Sequence, residues 1–278
     1  MDSVKIDKYF VPFDFTETTE DALHYAIKLA KTAGEGEILL GHIIKKGEVA
    51  GPIETKLQAV LDKLPEDEKA MCTSKVIEGD VLHDIPKMAE LQDASVIVMG
   101  THGASGLQKV FGSKALKVVS NSHVPFIIVQ ENIKDTEIND IVMPFSFQRE
   151  SVQVTQFAAS LAEKFDATIH LVGYRGNDEW LLRDMKTNQA IVRKHLTEHG
   201  VKYNMVTLPG KKSYEKELLE YAKVVDADLI AAAYFPQGVR ALFNSFLQEM
   251  IMNDQHIPVI TINAPEVMSV STYSFLSI

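Results

Sequence analysis

Short runs of apolar residues alternate along the chain with longer segments whose apolar positions recur at helical spacing. Lys8–Pro12 reads as a short buried strand. In the stretch from about Glu20 to Thr32, residues Ala22, Leu23, Ala26, Ile27, Leu29 and Ala30 fall on one helical face. Thr16 or Thr18 is expected to cap that helix, with Glu17, Glu20 and Asp21 near its positive end and Gly34 and Gly36 ending it. The alternation continues with a strand at Ile38–Ile44 and a helix at Ile53–Leu64 closed by Pro65. A strand at Met71–Glu78 and a helix at Val81–Leu91, with Pro86 near its first turn, come next. Ser95–Met99 is continuously apolar, as a parallel strand covered on both faces should be. A helix at Lys114–Asn121 and a strand at Pro125–Gln130 complete the series.

The series then repeats. Strands are expected at Asp140–Pro144, Thr168–Tyr174, Tyr203–Leu208, Leu229–Ala233 and Val259–Ile262. Helices are expected at Ser151–Lys164, Trp180–His199, Tyr214–Val225 and Ala241–Asn253. The residues repeat with the pattern. Pro12, Phe13 and Phe15 align with Pro144, Phe145 and Phe147 at an offset of 132, as do Ala26 with Ala158, Leu29 with Leu161 and Gly41 with Gly173. Later the offset is 133: Asp93 meets Asp226, Ile97 meets Ile230, His123 meets His256 and Pro125 meets Pro258. Strands alternating with helices imply right-handed crossovers and a doubly wound parallel sheet. The expected fold is therefore α/β, as two tandem domains, each a parallel five-stranded sheet with helices on both faces. The first domain is expected at 1–131 and the second at 138–264, with a polar linker between them and a tail at 265–278.

Composition supports this size and restricts the partners. The 278 residues suffice for two ordinary domains, with 46% hydrophobic and 24% charged residues as in a soluble globular protein. A formal charge of −10 opposes general binding to nucleic acid or to an anionic membrane surface. The single cysteine, Cys72, excludes an intrachain disulfide framework and suits a reducing compartment. No apolar run approaches the ~20 residues of a membrane span, and the first residues lack a signal-peptide layout. A cytoplasmic location is expected.

The segment with the most chemistry is Gly100-Thr-His-Gly-Ala-Ser-Gly-Leu-Gln-Lys-Val-Phe-Gly-Ser113. It starts at the carboxyl end of a buried strand, where ligands of open α/β sheets bind, and runs into a helix N-terminus with unpaired N–H donors. Gly100, Gly103, Gly112 and Ser113 form a plausible phosphate cradle, and a tight turn without ligand is the plainer alternative. Asp14, at the end of the first strand, could accept hydrogen bonds from a ribose or an adenine amino group, or cap the next helix.

These residues carry a resemblance. Val11-Pro12-Phe13-Asp14 followed by Thr16, then Ile97-Val-Met-Gly-Thr-His-Gly103 and the later Gly112-Ser113, resemble the universal stress protein family. The resemblance is strong over residues 5–130 and weak over 138–263. It implies two Rossmann-like (adenine nucleotide alpha hydrolase-like) domains packed through their final strands as an intramolecular pseudo-dimer, and it allows a homodimer of chains. Many members of the family bind ATP or AMP, the former with magnesium, and others do not. Carried over by motif, it implies adenosine contacts at Pro12, Asp14 and Ile43. Phosphate contacts fall at Gly100, Gly103, Gly112 and Ser113, with Met99 behind the base or ribose. The loop departs from the family pattern: Ala104–Phe111 is eight residues where nine are usual, which bears on a triphosphate more than on adenosine. In the second half Ser146 replaces the aspartate, Ala233 replaces Gly100 and Pro236, which lacks an N–H, replaces Gly103. Tyr234 and Phe235 are expected to fill the space, leaving the second half unable to bind nucleotide in the same way.

His195-Leu-Thr-Glu-His199 matches a zinc-protease pattern, but it ends a charged helix just before Gly200 with no third ligand in view. It reads as a solvated helix end, and no metal site is expected. No catalytic residue is assigned, since no nucleophile–base pair, lysine-bearing P-loop or Gly-x-Ser-x-Gly elbow is present. The favoured reading is a stress-response protein that binds an adenine nucleotide in its first half with a regulatory role, at most hydrolysing ATP slowly. The alternatives are a scaffold or apolar-ligand module without nucleotide and, last, an adenylating enzyme.

Overall fold

The structure, a computed structural model, describes residues 5–101, 111–131, 133, 137–145, 153–174, 179–235 and 244–264. The expected tail at 265–278 lies outside them. The first half runs β1 (Lys8–Pro12), α1 (Glu17–Thr32), β2 (Glu37–Ile44), α2 (Ala50–Leu61), α3 (Glu66–Lys69), β3 (Cys72–Glu78), α4 (Val81–Leu91), β4 (Val96–Gly100), α5 (Phe111–Ser120) and β5 (Phe126–Val129). The second runs β6 (Asp140–Pro144), α6 (Gln153–Phe165), β7 (Thr168–Tyr174), α7 (Glu179–Glu198), β8 (Lys202–Leu208), α8 (Tyr214–Val224), β9 (Leu229–Ala231), α9 (Asn244–Ile251) and β10 (Val259–Thr261). The helix expected at Ile53–Leu64 starts and ends three residues earlier, and Pro65 instead opens the short α3.

All ten strands form one sheet in the order β3-β2-β1-β4-β5-β10-β9-β6-β7-β8. Pairing is parallel within each half, and β5 meets β10 antiparallel. Two layers of core cover the faces. Val96 and Val98 of β4 enter one, while Ile97 and Met99 enter the other, the period-two sorting that makes a buried strand continuously apolar.

The contact between the halves obeys a local two-fold axis. Phe126, Ile127 and Ile128 face Thr261, Ile260 and Val259. Adding 133 to one member of each pair and subtracting it from the other returns the same set, and Ile127–Ile260 is its own image. The axis therefore passes between those two isoleucines, as in an isologous dimer interface. Side chains obey it as well. Gln130 Nε2 donates to the carbonyl of Asn253 at 2.9 Å, and Asn263 Nδ2 donates to the carbonyl of Ser120 at 3.1 Å. Each half thus uses the amide after its last strand to satisfy a carbonyl at the end of the other half's last helix.

One alignment needs correction. Gly41 pairs with Pro12, but it is Val172, not Gly173, that pairs with Pro144. The reason lies in the layer below. A Cβ at Gly41 would sit 2.3 Å from Cε2 of Phe10, whereas the second half has Val142 in place of Phe10. A large ring opposite glycine and two valines opposite each other fill the same volume.

Polar side chains secure the turns at the carboxyl ends of the edge strands. Glu217, buried in α8, accepts from the N–H groups of Gly210 (2.9 Å), Lys211 (2.5 Å) and Lys212 (2.9 Å). Burial alone would raise its carboxyl pKa, but these three donors together with the Lys212 charge hold it below the ordinary carboxylate value. Asp84 plays the same part in α4, accepting from Asp80 N at 2.6 Å. His170, buried in β7, lies between Asp140 Oδ1 and Tyr221 Oη, each at 2.7 Å, a polar network without counterpart in the first half, where Leu39 and Met88 stand at the corresponding places.

Two outcomes follow. Gly41→Ala should lose about 1–3 kcal/mol of stability by overpacking, and Phe10→Val should restore much of that loss, read as a coupling in a urea-denaturation double-mutant cycle. Because the Glu217 pKa is depressed on folding, its contribution to stability is present above the unfolded carboxylate pKa of about 4.3 and is lost as pH falls through the lower folded value. Glu217→Gln should flatten that acid limb of the stability–pH curve, measured by thermal unfolding between about pH 3 and 6.

Candidate functional site

The strand order reverses at β1, which has β2 on one side and β4 on the other. At such a switch point the connections leave in opposite directions and open a crevice beyond the carboxyl ends of the strands. A cavity of about 420 Å³ lies there. Pro12, Asp14, Ile43, Met99 and Gly100 all line it, so five of the eight expected site residues converge. Gly112 and Ser113 fall in the first turn of α5, whose Ala115 and Val118 line the same cavity. Gly103 lies outside the described residues.

The structure adds residues that the motifs did not indicate. Asp80, Val81, Leu82 and Ile85, from the start of α4, supply a wall. They come from a crossover far away in the chain and carry no motif; the one local signal was Asp80, whose Oδ1 accepts from Leu82 N at 2.9 Å as an N-cap. His42 also lines the cavity, and its Nδ1 lies 2.6 Å from the carbonyl of Phe13. A carbonyl can only accept, so Nδ1 is the donor and Nε2 is left as the acceptor of the neutral ring.

Asp14 holds the turn that leads into α1 and does not itself cap the helix. Thr16 occupies the cap position of α1, but neither Thr16 nor Thr18 caps the helix with its side chain. Asp14 Oδ1 instead accepts from Thr16 N at 3.1 Å, Thr16 Oγ1 at 2.5 Å and Thr19 Oγ1 at 3.2 Å. The carboxylate is exposed at the cavity edge, with one oxygen committed to the turn. The next residue, Phe15, has φ of 66°, a left-handed conformation that costs a bulky residue about 1–3 kcal/mol. Its ring packs edge-on to Phe13, against His42 and under Lys56 Nζ, which holds the turn that presents Asp14. Gly100 is required for another reason: a Cβ there would sit 2.1 Å from the carbonyl oxygen of Thr18. The bare backbone lets the start of α1 lie directly on the end of β4.

Two aromatic rings stand at the corresponding place in the second half. Tyr214 opens α8 as Val81 opens α4, and Phe246 sits in the first turn of α9 as Ser113 does in α5. The two rings stack at 5.6 Å with planes 17° apart, and Tyr214 Oη donates to the carbonyl of Val172 at 2.6 Å. The pair expected to fill the space, Tyr234 and Phe235, divides between the two core layers, because neighbouring residues of an extended segment point to opposite faces. Ser146 and Pro236 lie outside the described residues. Among the described residues no helix is long and apolar enough to cross a membrane.

Residues 5–130 match the model of the Universal stress protein family. Universal stress protein MJ0531 of Methanocaldococcus jannaschii is 26% identical over 144 residues, covering 46% of this chain and 84% of that protein. Universal stress protein MJ0577 of the same organism is 28% identical over 158 residues, covering 46% of this chain and 97% of the relative. Among solved structures, a universal stress protein from Archaeoglobus fulgidus superposes with a TM-score of 0.74 at 18% identity, covering 94% of this chain and 99% of that one. That last likeness is one of fold and extends over both halves.

Asp14→Ala should destabilise the first half by about 0.5–2 kcal/mol through the hydrogen bonds lost from the turn, whereas Asp14→Asn should retain most of the stability because the amide oxygen still accepts. Thermal denaturation of the two variants side by side tests this.

Proposed function

Because residues 5–130 match the universal stress protein family, we propose that the first half of the chain, residues 1–131, binds an adenine nucleotide, ATP or AMP, in the cavity at the carboxyl ends of β1 and β4. The second half, residues 138–264, is read as a partner domain without nucleotide, and the role of the whole as regulatory rather than catalytic. The observation that carries the reading is the convergence of Pro12, Asp14, Ile43, Met99 and Gly100 on one cavity at the topological switch point.

The residues suit the parts of such a ligand. Ile43, Met99, Ile85 and Leu82 offer an apolar slot for a planar base. Asp14 retains a carboxylate oxygen for ribose hydroxyls, and His42 Nε2 is an acceptor for an amino or hydroxyl group. The first turn of α5, with Gly112 and Ser113, presents backbone N–H groups and the positive end of the helix dipole to a phosphate. Magnesium bound with ATP would neutralise phosphate charge near Asp14 and Asp80.

A second reading, a scaffold that binds no nucleotide, is supported by the stack of Tyr214 on Phe246, two large rings at the place in the second half where the first half has its cavity. Titration calorimetry with ATP, AMP and adenosine separates the two. Saturable binding that is weakened by Asp14→Asn and unaffected by Ser146→Ala supports the nucleotide reading; no heat at millimolar nucleotide rejects it in favour of the scaffold.

A further inference from the structure

His199, in the histidine motif at the end of α7, is more enclosed than the exposed residues around it. The His199 side chain is only 17% exposed and its Nδ1 lies 4.0 Å from Glu163 Oε2 on α6. The His195 and His199 ring centres are 4.5 Å apart, with planes splayed by 48°. Residues four apart share one helix face, so both imidazoles project side by side toward α6.

That spacing has a second meaning. Two imidazoles bound to one ion at the usual metal–nitrogen distance of about 2.0–2.1 Å hold their ring centres about 4.5 Å apart at a right angle and about 5.2 Å apart at the tetrahedral angle. The observed 4.5 Å meets the first value and lies within about 1 Å of the second. A face-to-face stack would bring the planes close to parallel, whereas rings radiating from a common ion are splayed. We propose that His195 and His199 form a chelating pair for a first-row divalent cation of the imidazole-preferring class, zinc or nickel, with Glu163 as the positioning carboxylate behind His199. Glu163 lies 4.0 Å from Nδ1 of His199, beyond hydrogen-bond reach, where its charge favours a bound cation and a small approach would let it orient the ring. Among the described residues no group of three His, Cys, Asp or Glu side chains is gathered around an ion position. The two histidines supply two nitrogens, and water would complete the shell. This makes the site weaker than a four-ligand structural zinc centre and exchangeable. The pair lies on α7, on the half that carries the stacked Tyr214 and Phe246, apart from the cavity of the first half.

Titration of the untagged full chain with zinc or nickel chloride by calorimetry tests the site. One ion per chain should bind saturably in the micromolar range. His195→Ala and His199→Ala should each abolish that binding, Glu163→Gln should weaken it by about 10–100-fold, and Glu198→Ala should leave it unchanged, since Glu198 faces Lys194. A readout on the unmodified chain guards against misfolded variants: zinc should protect His195 and His199 from diethyl pyrocarbonate, mapped by mass spectrometry. Absence of saturable binding, binding unchanged in both histidine variants, or no protection of these two residues would each overturn the proposal.

Discussion

The antiparallel pairing of Phe126–Ile128 with Val259–Thr261 is the contact on which the rest of the molecule depends. It joins two parallel five-stranded arrays into one sheet and leaves neither β5 nor β10 as an edge, where unpaired N–H and C=O groups of a fully apolar strand would invite association. Because the pairing is self-complementary about Ile127 and Ile260, it also brings α5 against α9 across one face and sets α1 and α6 on the other. The reciprocal amide bonds of Gln130 and Asn263 seal both ends of the join.

Within that near-symmetric frame a few side chains make the halves chemically unequal. Gly41 beneath Phe10 and Val172 beside Val142 are equivalent solutions to one packing problem. Val81 against Tyr214, and Ser113 against Phe246, are not equivalent. The small pair belongs to the half with a cavity, and the large pair stacks at the corresponding place in the other half. Aromatic burial favours the second half's packing, while the first half keeps an open apolar slot whose filling is left to a ligand. Asp14 and Phe15 fit the same contrast: a left-handed bulky residue and a carboxylate at the cavity edge are costly features, balanced by three hydrogen bonds and two aromatic contacts.

The sequence by itself determined the element order, the parallel class of each half and most of one wall of the cavity. Those properties are written in local patterns: period-two and helical apolar spacing, a glycine at the end of a strand, and an aspartate where a strand turns into a helix. Tertiary structure decided what depends on residues distant in the chain. The α4 wall of the cavity, the true partner of Pro144, the Tyr214–Phe246 stack and the approach of Glu163 to His199 all arise where crossovers bring separate segments together. A one-residue difference between β1 and β2 in the two halves is invisible to an alignment that matches glycine with glycine. It becomes visible only in the sheet, because register is set by which side chains fit beneath each position and not by which residues are alike.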